Sequence, residues 1–284
     1  PIDRVAIPTN TFIATLNAVR YAGGTPLICD TNTQGLGISA FNPIVKYNAC
    51  VHLGGFPMRQ PRPTIVEDCA HAHGATIDGR KVGSFGLAGC FSFYPTKPMT
   101  AGTGGMITTN DAELSAYAQS LRHHGQTDKT LDVLERFGHD WLMSELQAVV
   151  GYHHLAQLDS MLHYRRYLAG AYEARLKDVA GVICIQNPPG CTSSYYKFLV
   201  LLDPALPRDQ IMRRLNEEHQ IEVGALYWPP LHRQPVVLAH YGTQHCPNAD
   251  AALSRQLALP MHTSMDDEDV QRVCHALQEE VSRA

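Results

Sequence analysis

The sequence predicts an α/β protein: a mostly parallel sheet covered by helices on both faces, followed by a smaller strand-and-helix unit. Three observations predict it. Short apolar runs alternate with helical patterns through the first part of the chain, the order that builds parallel sheets. Those runs end in turn or polar residues, as buried strands do. A long helical pattern then carries the chain into a second, shorter set of strands and helices.

Taken in order, "RVAIP" (4–8) reads as a strand, "TFIATLNAVRYAGG" (11–24) as an amphipathic helix closed by Gly23 and Gly24, and "TPLICD" (25–30) as the next strand. Further buried strands are expected at "NACVHL" (48–53), "PTIVED" (63–68), "GCFSFY" (89–94) and "GMITT" (105–109). Asn110 is expected to cap a helix over 111–124. A long helix covers about 144–176, with Met143, Leu146, Val150 and Leu158 on roughly one face. "GVICI" (181–185), "YYKFLVLL" (195–202), a helix begun by Pro207 and running to about His219, and a terminal helix after Ser264 form the second set. The domain boundary falls near residue 180, giving a large unit over 1–180 and a small one over 181–284.

The bulk numbers exclude several classes. With 284 residues, 44% of them hydrophobic and 18% charged, the chain can bury a sizeable core and is not disordered. Its net charge of -4, with basic runs no longer than pairs such as Arg80-Lys81 and Arg165-Arg166, gives no footprint for nucleic acid. No apolar stretch approaches the roughly 20 residues a membrane span needs, and no leader opens the chain, so a cytoplasmic location is expected. The 8 cysteines lie far apart with no Cys-x-x-Cys and read as reduced thiols. The chain opens "PIDRVAIP" without Met, and further residues upstream are expected.

Chemistry concentrates at the ends of the central strands, where ligands sit in such sheets. In "IVEDCAHAHGA" (65–75), Asp68 ends a buried strand, and His71 and His73 follow. One reading is structural, a carboxylate satisfied by loop amides beside two surface histidines. A second is a metal site, since Asp-x-x-His-x-His offers three ligands, but the spacing matches no established metal pattern and no fourth ligand is evident, so no metal is expected. A third joins Asp68 to Lys97, the lone lysine of "CFSFYPTKPMTAGTGGMITTND" (90–111). Pyridoxal phosphate needs a lysine amine for its aldehyde, an acid to keep its ring nitrogen protonated, and donors for its phosphate. The glycines of "TAGTGG" allow close backbone approach, and Ser92 offers a hydroxyl.

These residues belong to a larger ordered set. "IVEDCAHAHGA", "GRKVGSFGLAGCFSFYPTKPMTAGTGGMITTND", "LRHHG" (121–125) and "MSELQAVVG" (143–151), with "TNTFIATLNAVRYAGGTPLICD", "YWPPLHRQP" and "CPNADAALSRQLALPMHTSM", resemble the DegT/StrS family of pyridoxal-phosphate aminotransferases, which aminate keto sugars and related cyclic ketones. The resemblance spans nearly the whole chain. It implies the fold-type-I transferase architecture, with a large mainly parallel α/β domain, a small C-terminal α/β domain, and a homodimer whose active sites are shared.

By motif position, the resemblance makes Lys97 the Schiff-base lysine and proton shuttle, and Asp68 the partner of the pyridine nitrogen. It places His71 where most members carry a glutamine contacting the ring hydroxyl, Ser92 at the phosphate, Phe12 on the ring face, and His232 near the substrate entrance. For Phe12 the alternative is core packing, and for His232 a surface-loop histidine. His73 has no assigned role. The implied reaction moves an amino group from glutamate or glutamine to a keto sugar, often nucleotide-linked, or to a keto-cyclitol. "HAHG" with "MTAG" resembles members acting on inososes or aminohydroxybenzoate precursors and leans toward the cyclitol. The rivals are a sugar dehydratase of the same family, disfavoured because its lysine is replaced by histidine, and a non-catalytic binding protein on the same scaffold.

Three departures from the family pattern stand out. The family's phosphate-cradling turn would fall before Pro1. The interval between "VHLGG" and "IVED" is short for a crossover between parallel strands. Asp140 and Leu142 stand where the family has an asparagine and an arginine, and a carboxylate at Asp140 would repel the partner's phosphate.

Overall fold

The computed structural model describes residues 3–39, 45, 47–59, 66–128 and 133–284. The first strand, β1 (Arg4–Pro8), buries Ala6 and Ile7, and helix α1 (Ile13–Tyr21) lays Leu16 and Val19 on it. The helix stops where Gly23 takes φ 79° and the Gly24 N–H bonds back to Val19 O at 2.8 Å. The chain then returns as β2 (Thr25–Cys29), parallel to β1 from Arg4↔Thr25 to Pro8↔Cys29. Next come β3 (Tyr47–Val51), β4 (Val66–Asp68), two short strands β5 (Thr76–Ile77) and β6 (Arg80–Lys81), then β7 (Ala88–Ser92) and β8 (Gly105–Thr108).

The main sheet runs β2-β1-β3-β4-β7-β8, parallel throughout except for β8, which is antiparallel to β7. The chain winds one way from β1 to β2 and the other way from β3 onward. The crevice at such a reversal, outside the carboxyl ends of the strands, is where open α/β sheets bind ligands. The expected strand over 63–68 is seen as Val66–Asp68, and residues 63–65, with the short crossover before them, lie outside the described residues.

Helix α2 (Ala112–Arg122) is capped by Asp111, whose carboxylate accepts from the N–H groups of Glu113 and Leu114. Asn110 is therefore not the cap: a carboxylate one residue later satisfies two amides at the positive helix end. Helix α3 (Glu145–Leu176) begins in the capping box that Ser144 and Gln147 make. Its second half buries Leu162, Leu168, Tyr172 and Leu176, while its first half exposes Leu146, Val149, Tyr152 and Leu155.

Beyond it lie β9 (Val182–Cys184), β10 (Cys191–Thr192), β11 (Phe198–Leu202), α4 (Arg208–Glu217), α5 (Pro235–Tyr241), α6 (Pro247–Leu253), β12 (Gln256–Leu259) and α7 (Asp267–Ser282). Strands β12-β11-β9 form an antiparallel sheet whose central strand is buried throughout, and β10 joins β5 and β6 in a small sheet next to the first unit. Packing crosses residue 180 in both directions. Leu231, Val237, Ala249 and Leu253 share a core with Ile7, Leu16 and Ala49, while Leu36, Leu53 and Phe56 join the core under β11. Helices α5 and α6 and strand β12 were not anticipated, although Pro235 and Pro247 at their first helical turns were a legible signal.

Candidate active site

The ends of β1, β3, β4 and β7 open into one cavity of about 740 Å³. Phe12, Asp68, Ala70, His71, Ser92 and Lys97 all line it, so five residues singled out from sequence meet there.

Alternation along β4 sends Glu67 and Asp68 to opposite faces of the sheet. Asp68 faces α1, where the Thr15 hydroxyl donates to Oδ2 at 2.7 Å and the Ala70 N–H donates to Oδ1 at 3.1 Å. Thr15 Oγ1 lies 2.7 Å from Thr11 Oγ1; because its own proton goes to Asp68, it accepts from Thr11. The carboxylate is thus aimed by two donors while its edge stays open to the cavity. Glu67, on the other face, accepts from the N–H groups of Gly83, Phe85 and Gly86 and meets His52 Nε2 at 3.1 Å. Burial pushes this carboxyl up, but His52 and the backbone donors outweigh it and hold the pKa down to about 2.

Lys97 sits in the turn after β7, which is tied by Lys97 N–H to Tyr94 O, Ala101 N–H to Phe93 O and Phe93 N–H to Gly104 O. Its Nζ lies 4.8 Å from the centroid of the Tyr196 ring, and the Tyr196 hydroxyl is 3.1 Å from Thr96 Oγ1. Burial brings the amine down to about 8, with Asp68 opposing the shift and Lys197 adding to it. An amine so placed exists partly as the free base at neutral pH, the form that attacks a carbonyl. Ser92 ends β7 with its hydroxyl accepting from the Tyr94 N–H at 3.4 Å, and Phe12, 54% exposed, tilts 35° to Tyr227 with ring centroids 5.6 Å apart.

His71 is buried, not a surface histidine. Its Nδ1 accepts the Gly54 N–H at 3.2 Å, its Nε2 lies 3.0 Å from Tyr227 Oη, and its ring stacks on Tyr196 at 4.1 Å. The Gly54-Gly55 turn behind it needs glycine: Gly55 has φ 92°, and a Cβ there would collide with Ser194 Oγ. His73 is held between Phe91 and Phe93 and is absent from the cavity wall, so Asp68, His71 and His73 do not converge on a metal. Among the described residues, His52, Glu67 and Cys69 do lie close enough to share an ion. There the Glu67 oxygens are already occupied by amides, and burial drives the Cys69 thiol far above its ordinary pKa, against the thiolate a metal needs.

His232, expected near the substrate entrance with a surface-loop histidine as the alternative, is not a surface residue: it is 4% exposed and does not line this cavity. Thr9 Oγ1 at 2.7 Å and Asp250 Oδ1 at 3.0 Å hold its two nitrogens, and it fastens the loop after Pro230 to the end of β1. Sequence reasoning missed Thr15, Tyr196 and Tyr227. Only Thr15 carried a readable signal, standing one helical turn from Thr11 beside the predicted cavity.

An amine, a buttressed carboxylate, a hydroxyl and an exposed aromatic ring around one cavity are the donor set that a pyridoxal phosphate ring requires, and on that chemistry the residues fit it. Comparison with known proteins points the same way. The DegT/DnrJ/EryC1/StrS aminotransferase family matches residues 62–278. The chain is 35% identical over 290 residues, 96% of this chain and 76% of the other, to a UDP-N-acetyl-3-dehydro-alpha-D-glucosamine 3-aminotransferase of Acidithiobacillus ferrooxidans. It is 32% identical to the GDP-perosamine synthase of Caulobacter vibrioides, covering 98% of this chain and 79% of that protein. Its fold is similar to that of a crystal structure of an aminotransferase from Brucella abortus, with TM-score 0.88, 28% identity, and coverage of 98% and 79%.

Proposed function

Since this chain belongs to the DegT/DnrJ/EryC1/StrS aminotransferase family, we propose that it transfers an amino group from glutamate or glutamine to a keto sugar, with pyridoxal phosphate as cofactor. The observation that carries the proposal is the meeting of Lys97 and Asp68 in one cavity at the reversal point of the sheet. A nucleotide-linked ketose is the favoured acceptor, because the similar proteins named for UDP- and GDP-linked sugars match almost the whole chain. A keto-cyclitol is the second acceptor class.

When bound, pyridoxal phosphate supplies an aldehyde for a lysine and a ring that takes up the electron pair left by a departing proton. The work of the chain is to hold and move protons around it. Asp68, fixed by Thr15 and Ala70, would set its carboxylate against the ring nitrogen. Lys97 accepts a proton at Nζ and returns it, a duty suited to an amine whose pKa of about 8 is near the working pH. Ser92 would offer its hydroxyl to the phosphate and Phe12 would cover the ring face, in a cavity that Val66 and Ala49 line with apolar surface.

A homodimer is part of the proposal. Met106, Ile107, Trp141, Leu146, Tyr152 and Leu155 leave apolar surface exposed along β8, the loop before α3 and its first turns, more than an isolated subunit usually tolerates. Asp140 and Leu142 are exposed in the same region and would face the partner. No described helix is long and apolar enough to cross a membrane, and the free thiols suit a reducing compartment such as the cytoplasm.

The test is a visible spectrum of the cofactor-loaded protein before and after glutamate, followed by borohydride reduction and peptide mapping. The expected result is a band that glutamate bleaches and a reductive label on Lys97. A label elsewhere, or none in loaded protein, overturns the assignment.

A further inference from the structure

The wall of the cavity carries a donor that the motifs did not single out. Burial, with Lys97, His73 and Lys197 nearby, holds the His71 pKa well below its ordinary value, so the ring is neutral. A neutral imidazole has one N–H. Because Nδ1 accepts from the Gly54 N–H, the hydrogen sits on Nε2 and is donated to Tyr227 Oη. Both nitrogens of His71 are therefore spent, with Tyr227 at the ring's edge and Tyr196 stacked on its face at 4.1 Å. It has nothing left to offer a ligand.

Tyr227 is in the opposite position. Its hydroxyl accepts from His71 and keeps its own hydrogen for another partner, and burial, with Tyr196 and Asp68 nearby, raises its pKa and keeps it protonated. It lines the cavity beside Phe12. Its backbone holds φ 57°, in the left-handed region that bulky residues avoid, and such strain persists where the surroundings fix it and gathers at working sites. Here the loop is fixed to β1 by the Leu231 N–H on Thr9 O at 3.0 Å and by the buried His232.

We propose that Tyr227 Oη, oriented by His71, donates the hydrogen bond to the oxygen on the ring of bound pyridoxal phosphate, the contact that motif position assigned to His71. Tyr227 is then a cofactor-contacting residue and His71 a positioning residue. The inference rests on the cofactor reading above. Draining negative charge from the ring oxygen loosens the proton on the neighbouring nitrogen linked to Lys97, so the hydrogen bond lowers the pH at which the visible band changes. The charged or titratable groups facing this pair are Lys97, Lys197, His73, Tyr196 and Asp68, and each stays in place in the variants.

The experiment titrates the visible band of cofactor-loaded wild type, Tyr227→Phe, His71→Phe and the double variant, with borohydride mapping of each. Tyr227→Phe is expected to raise the midpoint by about one pH unit, as loss of a hydrogen bond to a charged acceptor does. His71→Phe should raise it by less and add nothing in the Tyr227→Phe background, an absence of additivity that simple loosening of the loop would not give. An unmoved or lowered midpoint in Tyr227→Phe, with Lys97 still labelled, overturns the inference and leaves the cofactor reading standing. A wild type with neither band nor label overturns both. If Tyr227→Phe is recovered unfolded, an unmoved midpoint in His71→Phe alone is the refuting result.

Discussion

Replacing Thr15 by valine keeps the shape of the side chain and removes one proton donor. In the folded protein that donor lies 2.7 Å from Asp68 Oδ2, and the other carboxylate oxygen keeps only the Ala70 N–H at 3.1 Å. A hydrogen bond to a charged acceptor contributes about 1.5–3 kcal/mol. If only the lower part of that range reaches the transition state, the loss of about 1.4 kcal/mol is tenfold in rate. The expected result is therefore about a tenfold fall in the single-turnover rate of band bleaching by glutamate. Thr15→Ser keeps the hydroxyl and should stay within about twofold of wild type. Thr11 loses its acceptor in Thr15→Val, so about 1 kcal/mol of stability should go as well, read from urea unfolding. The reasoning is refuted if Thr15→Val bleaches at the wild-type rate, or if Thr15→Ser is impaired as severely as Thr15→Val.

Two further outcomes follow from the titrating groups. The pKa of Lys97 falls from 10.5 to about 8 on folding, so between those values the unfolded chain binds more protons and stability should rise with pH; Lys97→Met should flatten that slope in urea melts taken across the window. The Glu67 carboxyl drops from 4.5 to about 2, so its contribution is present above 4.5 and fades as pH falls toward 2. Glu67→Gln, which leaves four donors facing a neutral amide, should cost about 2 kcal/mol near neutral pH and lose that deficit in acid.

Central strands such as β3 were legible because burial leaves continuous apolar runs that stop at a polar residue, and Asp68 and Lys97 sit at or just past the ends of β4 and β7; the outer strand β8, expected to be buried, is exposed at every position. The small sheet of β5, β6 and β10 was not, because two-residue strands have no periodicity to read. Tyr227 and His71 are 156 positions apart, and their hydrogen bond depends on how the loop after α4 folds back, which no local pattern encodes. The burial of His232 was hidden for a related reason. A polar residue in a Pro-rich loop reads as exposed, but Asp250 and Thr9, brought from distant parts of the chain, give it an interior partner on each side.

Glu67 and Asp68 are neighbours in the chain, yet the pleat assigns one to a clasp for the loop at 83–86 and the other to the cavity. Their duties depend on parity. Adding or deleting a single residue ahead of Glu67 in β4 would turn each carboxylate to the opposite face, taking Glu67 from the clasp and Asp68 from the cavity. Grafts or recombined variants of this protein should therefore cross over outside the triplet 66–68, or shift it by an even count.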